Sequence, residues 1–238
     1  MYRKIAILGS GSWATALAKI VMSNQGEINW FIRRQEVIDE FIATGKNPSY
    51  LGAANFDVGR IHFSSDINQT VAQSDVLILA IPSPYVKQSL NKIRRDMSHK
   101  VVISAVKGMI PDLNVIITEY LHKRFNVPMD QLGVIAGPCH AEEIALERLS
   151  YLTIGCENRA NAEIWSKLFK TDYVHTTTSS PFVIIRHFQK RPCPFDVVSI
   201  GRLSIFSVKD LAKAAHVTVR YTRKSSLNVC SSLFNCRF

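Results

Sequence analysis

Residues 5–18 leave this chain few folding options. They read Ile5-Ala6-Ile7-Leu8-Gly9-Ser10-Gly11-Ser12-Trp13-Ala14-Thr15-Ala16-Leu17-Ala18. Four apolar residues fit a buried strand, a glycine turn ends it, and a helix-type pattern follows. Strand, glycine turn and helix in that order form the opening of a dinucleotide-binding unit. Gly9 allows the tight turn. Gly11 has no side chain, so a pyrophosphate can approach the backbone, and the small Ala14 lets the helix pack close to the strand. The start of the helix then offers free N–H groups and a partial positive charge to phosphate. The plainer alternative is a tight turn between a buried strand and a helix, without a ligand.

The rest of the chain to about Thr178 repeats this alternation. β-type runs fall at 5–8, 28–32, 61–64, 76–81, 101–105, 134–136 and 151–155. Helix-type stretches fall between most of them, at 12–23, 36–43, 84–95, 113–124, 140–148 and 161–169, with Asn158 or Asn161 placed to cap the last. Such alternation implies an α/β fold, a Rossmann-like, doubly wound and mostly parallel sheet with helices on both faces. Ligands of such sheets sit beyond the C-terminal ends of the strands, so the residues just after each run carry the chemistry.

After the second run come Arg33 and Arg34. An acidic residue about 20 positions past the glycine turn would hold a ribose 2′-hydroxyl. Arginine there favours a 2′-phosphate, so NADP(H) is preferred and NAD(H) remains open. Solvated surface arginines are the plainer alternative, above all for Arg34. After the fourth run, Pro82-Ser83-Pro84 ends the strand and can start a helix, closing over a ligand or simply turning. After the fifth, Ala105-Val106-Lys107-Gly108 puts Lys107 near the nicotinamide end of the cleft. A lysine there can hold a phosphate or polarise a carbonyl, or simply sit in an exposed turn. After the sixth comes Ala136-Gly137-Pro138-Cys139-His140-Ala141-Glu142-Glu143, a turn into a helix start. Cys139 and His140 are adjacent and point in different directions, which argues against a nucleophile–base pair. Glu does not follow His140 and no second histidine follows, so a zinc motif is excluded.

Composition narrows the class. With 238 residues and 47% apolar content the chain can bury a real core as one large domain or two smaller ones. No apolar run approaches the ~20 residues of a membrane helix, and 5–8 is too short for a signal peptide. The five cysteines (Cys139, Cys156, Cys193, Cys230, Cys236) are odd in number and irregularly spaced. They fit free thiols in a reducing compartment and imply a cytoplasmic protein. Net charge is +10, but residues 1–180 carry 19 basic and 17 acidic residues, whereas 181–238 carry 10 and 2. The basicity therefore belongs to the last quarter.

On these residues the chain resembles the bacterial NAD(P)-dependent glycerol-3-phosphate dehydrogenases. The resemblance rests on the stretch from Gly9 to Ala18, Asn47-Pro48-Ser49-Tyr50-Leu51, Ile81-Pro82-Ser83, Val106-Lys107-Gly108 and Gly137 to Glu143, and covers about residues 1–180. It implies that Ser12, Trp13, Arg33, Arg34 and Ala141 contact the cofactor and that Lys107 touches both cofactor and substrate. It also implies that Gly137 and Cys139 line the substrate site. The family usually has a small hydroxyl residue where Cys139 stands, and often glycine where Ala14 stands. The implied reaction is reversible reduction of dihydroxyacetone phosphate to sn-glycerol 3-phosphate, which feeds glycerophospholipid synthesis, with no metal. A homodimer stays open.

After Ser180 the pattern changes. The resemblance implies a helical substrate domain carrying a proton-transferring lysine in a Lys-Asn pair and a substrate-holding Arg-Asn pair. Neither pair occurs in 181–238. The two expected units are thus a nucleotide-binding domain, 1–180, and an atypical basic tail, 181–238, read as an out-of-frame or otherwise altered end. Lys190, Lys209 and Lys213 match nothing around the family's lysine. Without the helical domain one apolar face is expected to lack cover, which predicts poor solubility or reliance on a partner. Two other readings follow: a non-catalytic NADP(H)-binding module, and, less favoured, a nucleic-acid arm built on Arg220, Tyr221, Arg223 and Lys224. The tail residues His187, Cys193, His216, Cys230 and Cys236 lack metal-ligand spacing.

Overall fold

The computed structural model describes residues 4–179 except 107, 108, 111, 112, 114 and 138. Lys107, Gly108, Pro138 and every expectation about 181–238, including Lys190, Lys209, Lys213 and the Arg220, Arg223 and Lys224 cations, lie outside the described residues.

Strand β1 (Ile5–Leu8) leads into α1 (Ser12–Asn24), then β2 (Ile28–Phe31), α2 (Gln35–Thr44), β3 (Ile61–Ser64), α3 (Ile67–Ala72), β4 (Val76–Leu79), α4 (Ser83–Leu90) and β5 (Val101–Ser104). A two-stranded antiparallel ribbon, β6 (Met109–Ile110) and β7 (Val115–Ile116), precedes α5 (Ile117–Phe125). The chain then continues through β8 (Leu132–Ala136), α6 (Ala141–Ala145), β9 (Ser150–Cys156), α7 (Arg159–Phe169) and β10 (Val174–Ser179). Eight strands make one sheet in the order β10-β9-β8-β5-β4-β1-β2-β3.

The chain leaves β1 toward β2 and β3, then returns to the other side of β1 for β4, β5 and β8. This reversal between β1 and β4 is a topological switch point, at whose C-terminal strand ends such sheets bind ligands. Every neighbouring pair is parallel except β8 and β9, which run antiparallel with Val134 opposite Gly155. The short α6 connection returns the chain to the sheet from the edge it left.

Alternation along the strands splits the core. Ile5 and Ile7 pack on one face with α1, α2, α6 and α7, while Ala6 and Leu8 pack on the other with α3, α4 and α5. The first face holds an aromatic group in which Trp30 meets Phe41, Phe56 and Phe63 at centroid separations of 5.2, 5.6 and 5.8 Å. Gly133 in β8 lies under Trp165 of α7, and a Cβ there would come within 2.6 Å of the indole ring.

The expected strands all form, with ends shifted by one or two residues. Three helix expectations need correction. The stretch 113–124 is helical only from Ile117, because the β-branched Val115 and Ile116 pair with Met109 and Ile110 instead. The stretch 84–95 stops at Leu90, where Asn68 of α3 takes hold of the chain by donating to Lys92 O at 3.1 Å and accepting from Arg94 N at 2.7 Å. The helix over 140–148 shrinks to α6, and Glu147 closes it at φ 55°. Strand β10 and helix α3 were not among the expected elements. Asn158, not Asn161, caps α7, accepting from Ala160 N and Asn161 N at 2.9 and 3.3 Å.

Candidate nucleotide-binding site

Gly9 ends β1 at φ 130°, a conformation that L side chains rarely adopt. It is also pressed against β4, since a Cβ at this position would lie 2.5 Å from Ala80 O. Gly11 differs. Its backbone is extended, at φ −76° and ψ 178°, and a Cβ on it would meet nothing within 4 Å. Gly9 is thus required by the fold of the turn, whereas Gly11 leaves an open space over the backbone.

That space adjoins the start of α1. The N-cap of this 13-residue helix is Gly11, which offers no side-chain acceptor, and its first turn carries no acidic residue. The positive end of the helix dipole is left for an external anion. The back of the turn is tied down. Trp30 Nε1 donates to Gly9 O at 2.7 Å. Asn47 Nδ2 donates to Ser10 O at 3.1 Å and to Thr15 Oγ1 at 2.8 Å. Thr15 Oγ1 donates to Gly11 O at 3.0 Å. Asn47 Oδ1 in turn accepts from Ser49 N and Tyr50 N at 3.0 and 3.2 Å, and the residue is only 3% exposed. Trp30 and the role of Asn47 were missed in the sequence, although Asn47 stood in a noted motif.

The other expected residues gather along the same edge of the sheet. Gly9 N donates to Phe31 O at 3.2 Å, which places Arg33 and Arg34 beside the turn, just past β2. Both arginines are exposed; Arg34 lies 3.8 Å from Glu36 Oε1, and among the described residues Arg33 has no ion pair. Ser12 opens α1, and Trp13 packs partly buried against the first-face core. Pro82 caps α4 directly after β4 with φ −56°, so the Pro-Ser-Pro segment does start a helix.

Beyond β8, Gly137 adopts φ 144° against the Tyr151 carbonyl of β9. Cys139 is buried, and its Sγ donates weakly to Gly137 O at 3.8 Å, while His140 is exposed and caps α6. One residue lies in the core and its neighbour on the surface, against the requirement of a dyad. Ala141 opens α6, which packs on α1. Lys19 of α1 fastens the far end of α6, donating to Ala145 O at 2.8 Å and pairing with Glu147 at 2.9 Å.

The groups with displaced pKa values lie elsewhere. Burial pushes the Cys156 thiol up to about 11, at the end of β9 where its Sγ contacts Asp130 O. Burial also raises Tyr173, and hydrogen bonds from Ser98 lower the exposed Asp96. Among the described residues no group of three or more His, Cys, Asp or Glu side chains gathers to hold a metal, and no helix is long and apolar enough to cross a membrane.

Residues 4–162 match the family described as NAD-dependent glycerol-3-phosphate dehydrogenase N-terminus. A relative from Oceanobacillus iheyensis, named as an NAD(P)+ glycerol-3-phosphate dehydrogenase, is 30% identical over 74% of this chain and 51% of its own length. One of the same name from Enterococcus faecalis is 27% identical over 96% of this chain and 67% of its own, a match that reaches past Ser180. Among solved structures, a Plasmodium falciparum glycerol-3-phosphate dehydrogenase superposes with a TM-score of 0.70 at 27% identity, covering 78% of this chain and 55% of that one. The Coxiella burnetii protein, at 19% identity and a TM-score of 0.69, shares the fold. The chain spans about half the length of the Oceanobacillus relative.

Proposed function

The chain belongs to the family of NAD-dependent glycerol-3-phosphate dehydrogenase N-termini, and we propose that its glycine turn binds NAD(P)(H), with NADP(H) preferred, for the reversible reduction of dihydroxyacetone phosphate to sn-glycerol 3-phosphate. One observation carries the reading: the open space over Gly11 in front of the uncapped start of α1. Such a space fits a pyrophosphate, because the N–H groups and the dipole of a helix start favour an anion there. The residues present therefore suit the cofactor. When bound, it supplies or takes the hydride at C2 of the three-carbon substrate.

The chain's own residues divide the remaining work. Ser12 and Trp13 sit at the helix start against the phosphates. Arg33, with no carboxylate partner among the described residues, holds a ribose 2′-phosphate, aided by Arg34. Ala141 faces the cofactor from α6, and Gly137 and Cys139 line the glycerol-phosphate side. The family resemblance gives Lys107, which lies outside the described residues, contact with both cofactor and substrate. We assign no proton-transferring group, since 181–238 contains no Lys-Asn pair. A positioned acid or base contributes about 10²–10⁴ to such a turnover. A nucleotide-binding module is the second reading, favoured by the same open space over Gly11. The odd number and irregular spacing of the five cysteines suit a reducing compartment such as the cytoplasm.

The test is a fluorescence titration with NADPH and NADH, followed by a turnover assay with dihydroxyacetone phosphate. Both cofactors should bind, NADPH more tightly, and Arg33→Ala should weaken NADPH about tenfold while leaving NADH unchanged. Absence of binding to either cofactor overturns the reading. Binding without turnover selects the module.

A further inference from the structure

The peptide bond is planar and trans, so the C=O of one residue and the N–H of the next point in opposite directions. Every carbonyl of the glycine turn is gripped by a donor: Gly9 O by Trp30 Nε1, Ser10 O by Asn47 Nδ2 and Gly11 O by Thr15 Oγ1 together with the backbone N–H of Thr15. Each grip therefore aims one N–H the other way, those of Ser10, Gly11 and Ser12 in that order. Successive N–H groups aimed to one side make an anion-binding concavity.

The grips come from three parts of the chain. Trp30 is a fully buried residue of β2, Thr15 a fully buried residue of α1, and Asn47 a buried residue of the segment after α2. Asn47 is the hub. Its two donor hydrogens serve Ser10 O and Thr15 Oγ1, and its acceptor oxygen holds Ser49 N and Tyr50 N. Thr15 passes the constraint on to Gly11 O. A buried asparagine that uses its whole hydrogen-bonding capacity at one place fixes geometry there rather than filling space.

We propose that Asn47, acting through Thr15, is a positioning residue that aims the N–H groups of Gly11 and Ser12 at the dinucleotide's pyrophosphate. This gives Asn47 a role at the glycine turn although it lies more than 30 residues downstream. The proposal rests on the nucleotide-binding reading and adds a specific expectation: loss of the brace penalises phosphate recognition and spares recognition of the nucleoside.

The experiment compares the full chain with Asn47→Ala, Thr15→Val, Thr15→Ser and the Asn47→Ala/Thr15→Val double variant. Binding of NADPH, ADP and adenosine is measured by calorimetry, with thermal melting as a folding control. Asn47→Ala and Thr15→Val should each weaken NADPH and ADP about tenfold and leave adenosine within a factor of two. Thr15→Ser, which keeps the hydroxyl, should bind as the parent does. The double variant should be no weaker than the worse single one, because both break the same relay. Equal losses for ADP and adenosine overturn the proposal, because a merely structural residue would weaken both. So does unchanged NADPH binding in folded Thr15→Val, which decides the matter even if Asn47→Ala does not fold. If the parent chain binds neither NADPH nor ADP, the nucleotide-binding reading falls and this proposal with it. If the parent binds and the variants bind equally well, the proposal alone falls.

Discussion

Replacing each glycine of the turn by alanine should separate what the fold needs from what the ligand needs. At Gly9 an added Cβ meets two costs. The backbone sits at φ 130°, and holding an L residue in so sparsely populated a region costs about 1–3 kcal/mol. The Cβ also falls 2.5 Å from Ala80 O and 2.9 Å from Ala80 C, both backbone atoms of the neighbouring strand end that cannot rotate away. Overpacking of this kind costs about 1–3 kcal/mol. Some of the strain is shared, so we expect Gly9→Ala to lose about 3 kcal/mol, a fall in Tm of roughly 6–12 °C for a domain of this size. Gly11→Ala meets neither cost, having ordinary φ and empty space around its Cβ. Alanine caps a helix less well than glycine but restricts the unfolded chain more, so the net change should stay within about 1 kcal/mol. Its Cβ instead occupies the proposed path of the pyrophosphate, and NADPH affinity should drop at least tenfold. Urea denaturation and fluorescence titration read the two effects independently. A Gly9→Ala variant as stable as the parent would refute the steric argument. A Gly11→Ala variant that binds NADPH normally would refute the placement of the phosphate.

Other expectations concern packing and titration. Gly133→Ala should destabilise by about 1–3 kcal/mol in chemical denaturation, because its Cβ would press within 2.6 and 2.8 Å of the Trp165 ring, itself fully buried. Asn158→Ala should cost about 1 kcal/mol and fray the start of α7, seen as faster amide exchange at Ala160 and Asn161, whose N–H groups lose their acceptor. Cys156, its thiol pushed up to about 11 by burial, should resist iodoacetamide at pH 8 in the folded protein and react on unfolding, as read by peptide mass mapping. Since its folded pKa lies above its unfolded value, its contribution to stability is complete below the ordinary thiol value of 9.0. That contribution is lost as pH rises toward about 11, which a pH series of melts would show.

Much of the candidate site's layout was legible because it is local. Gly9, Gly11 and Ala14 occupy one turn, and backbone freedom, backbone access and close packing are properties of single residues at fixed offsets. Arg33 was legible for a similar reason, since strand ends of a doubly wound sheet share one edge. The buried runs at Ile5–Leu8 and Val76–Leu79 announced central strands through unbroken apolarity. Other features resisted. The segment before α5 has helix-like spacing, yet Val115 and Ile116 take the ribbon because Met109 and Ile110 are there to pair. Helix α4 ends where Asn68 takes hold of the following chain, a residue more than 20 positions upstream. The threonine-rich β10 has a β-branched composition but only a weak apolar signal, and it becomes a strand by pairing with β9.

The sequence by itself determined the alternation of strands and helices, the glycine turn and the position of its arginines, because each depends on the conformational and chemical preferences of neighbouring residues. Tertiary structure alone decided the antiparallel turn-back of β9 and the grip of Trp30 and Asn47 on the glycine turn. Trp30 reaches across 21 residues and Asn47 across 37. Such hydrogen bonds exist only once the strands are in register and water has been excluded from the back of the turn, so no local pattern announces them.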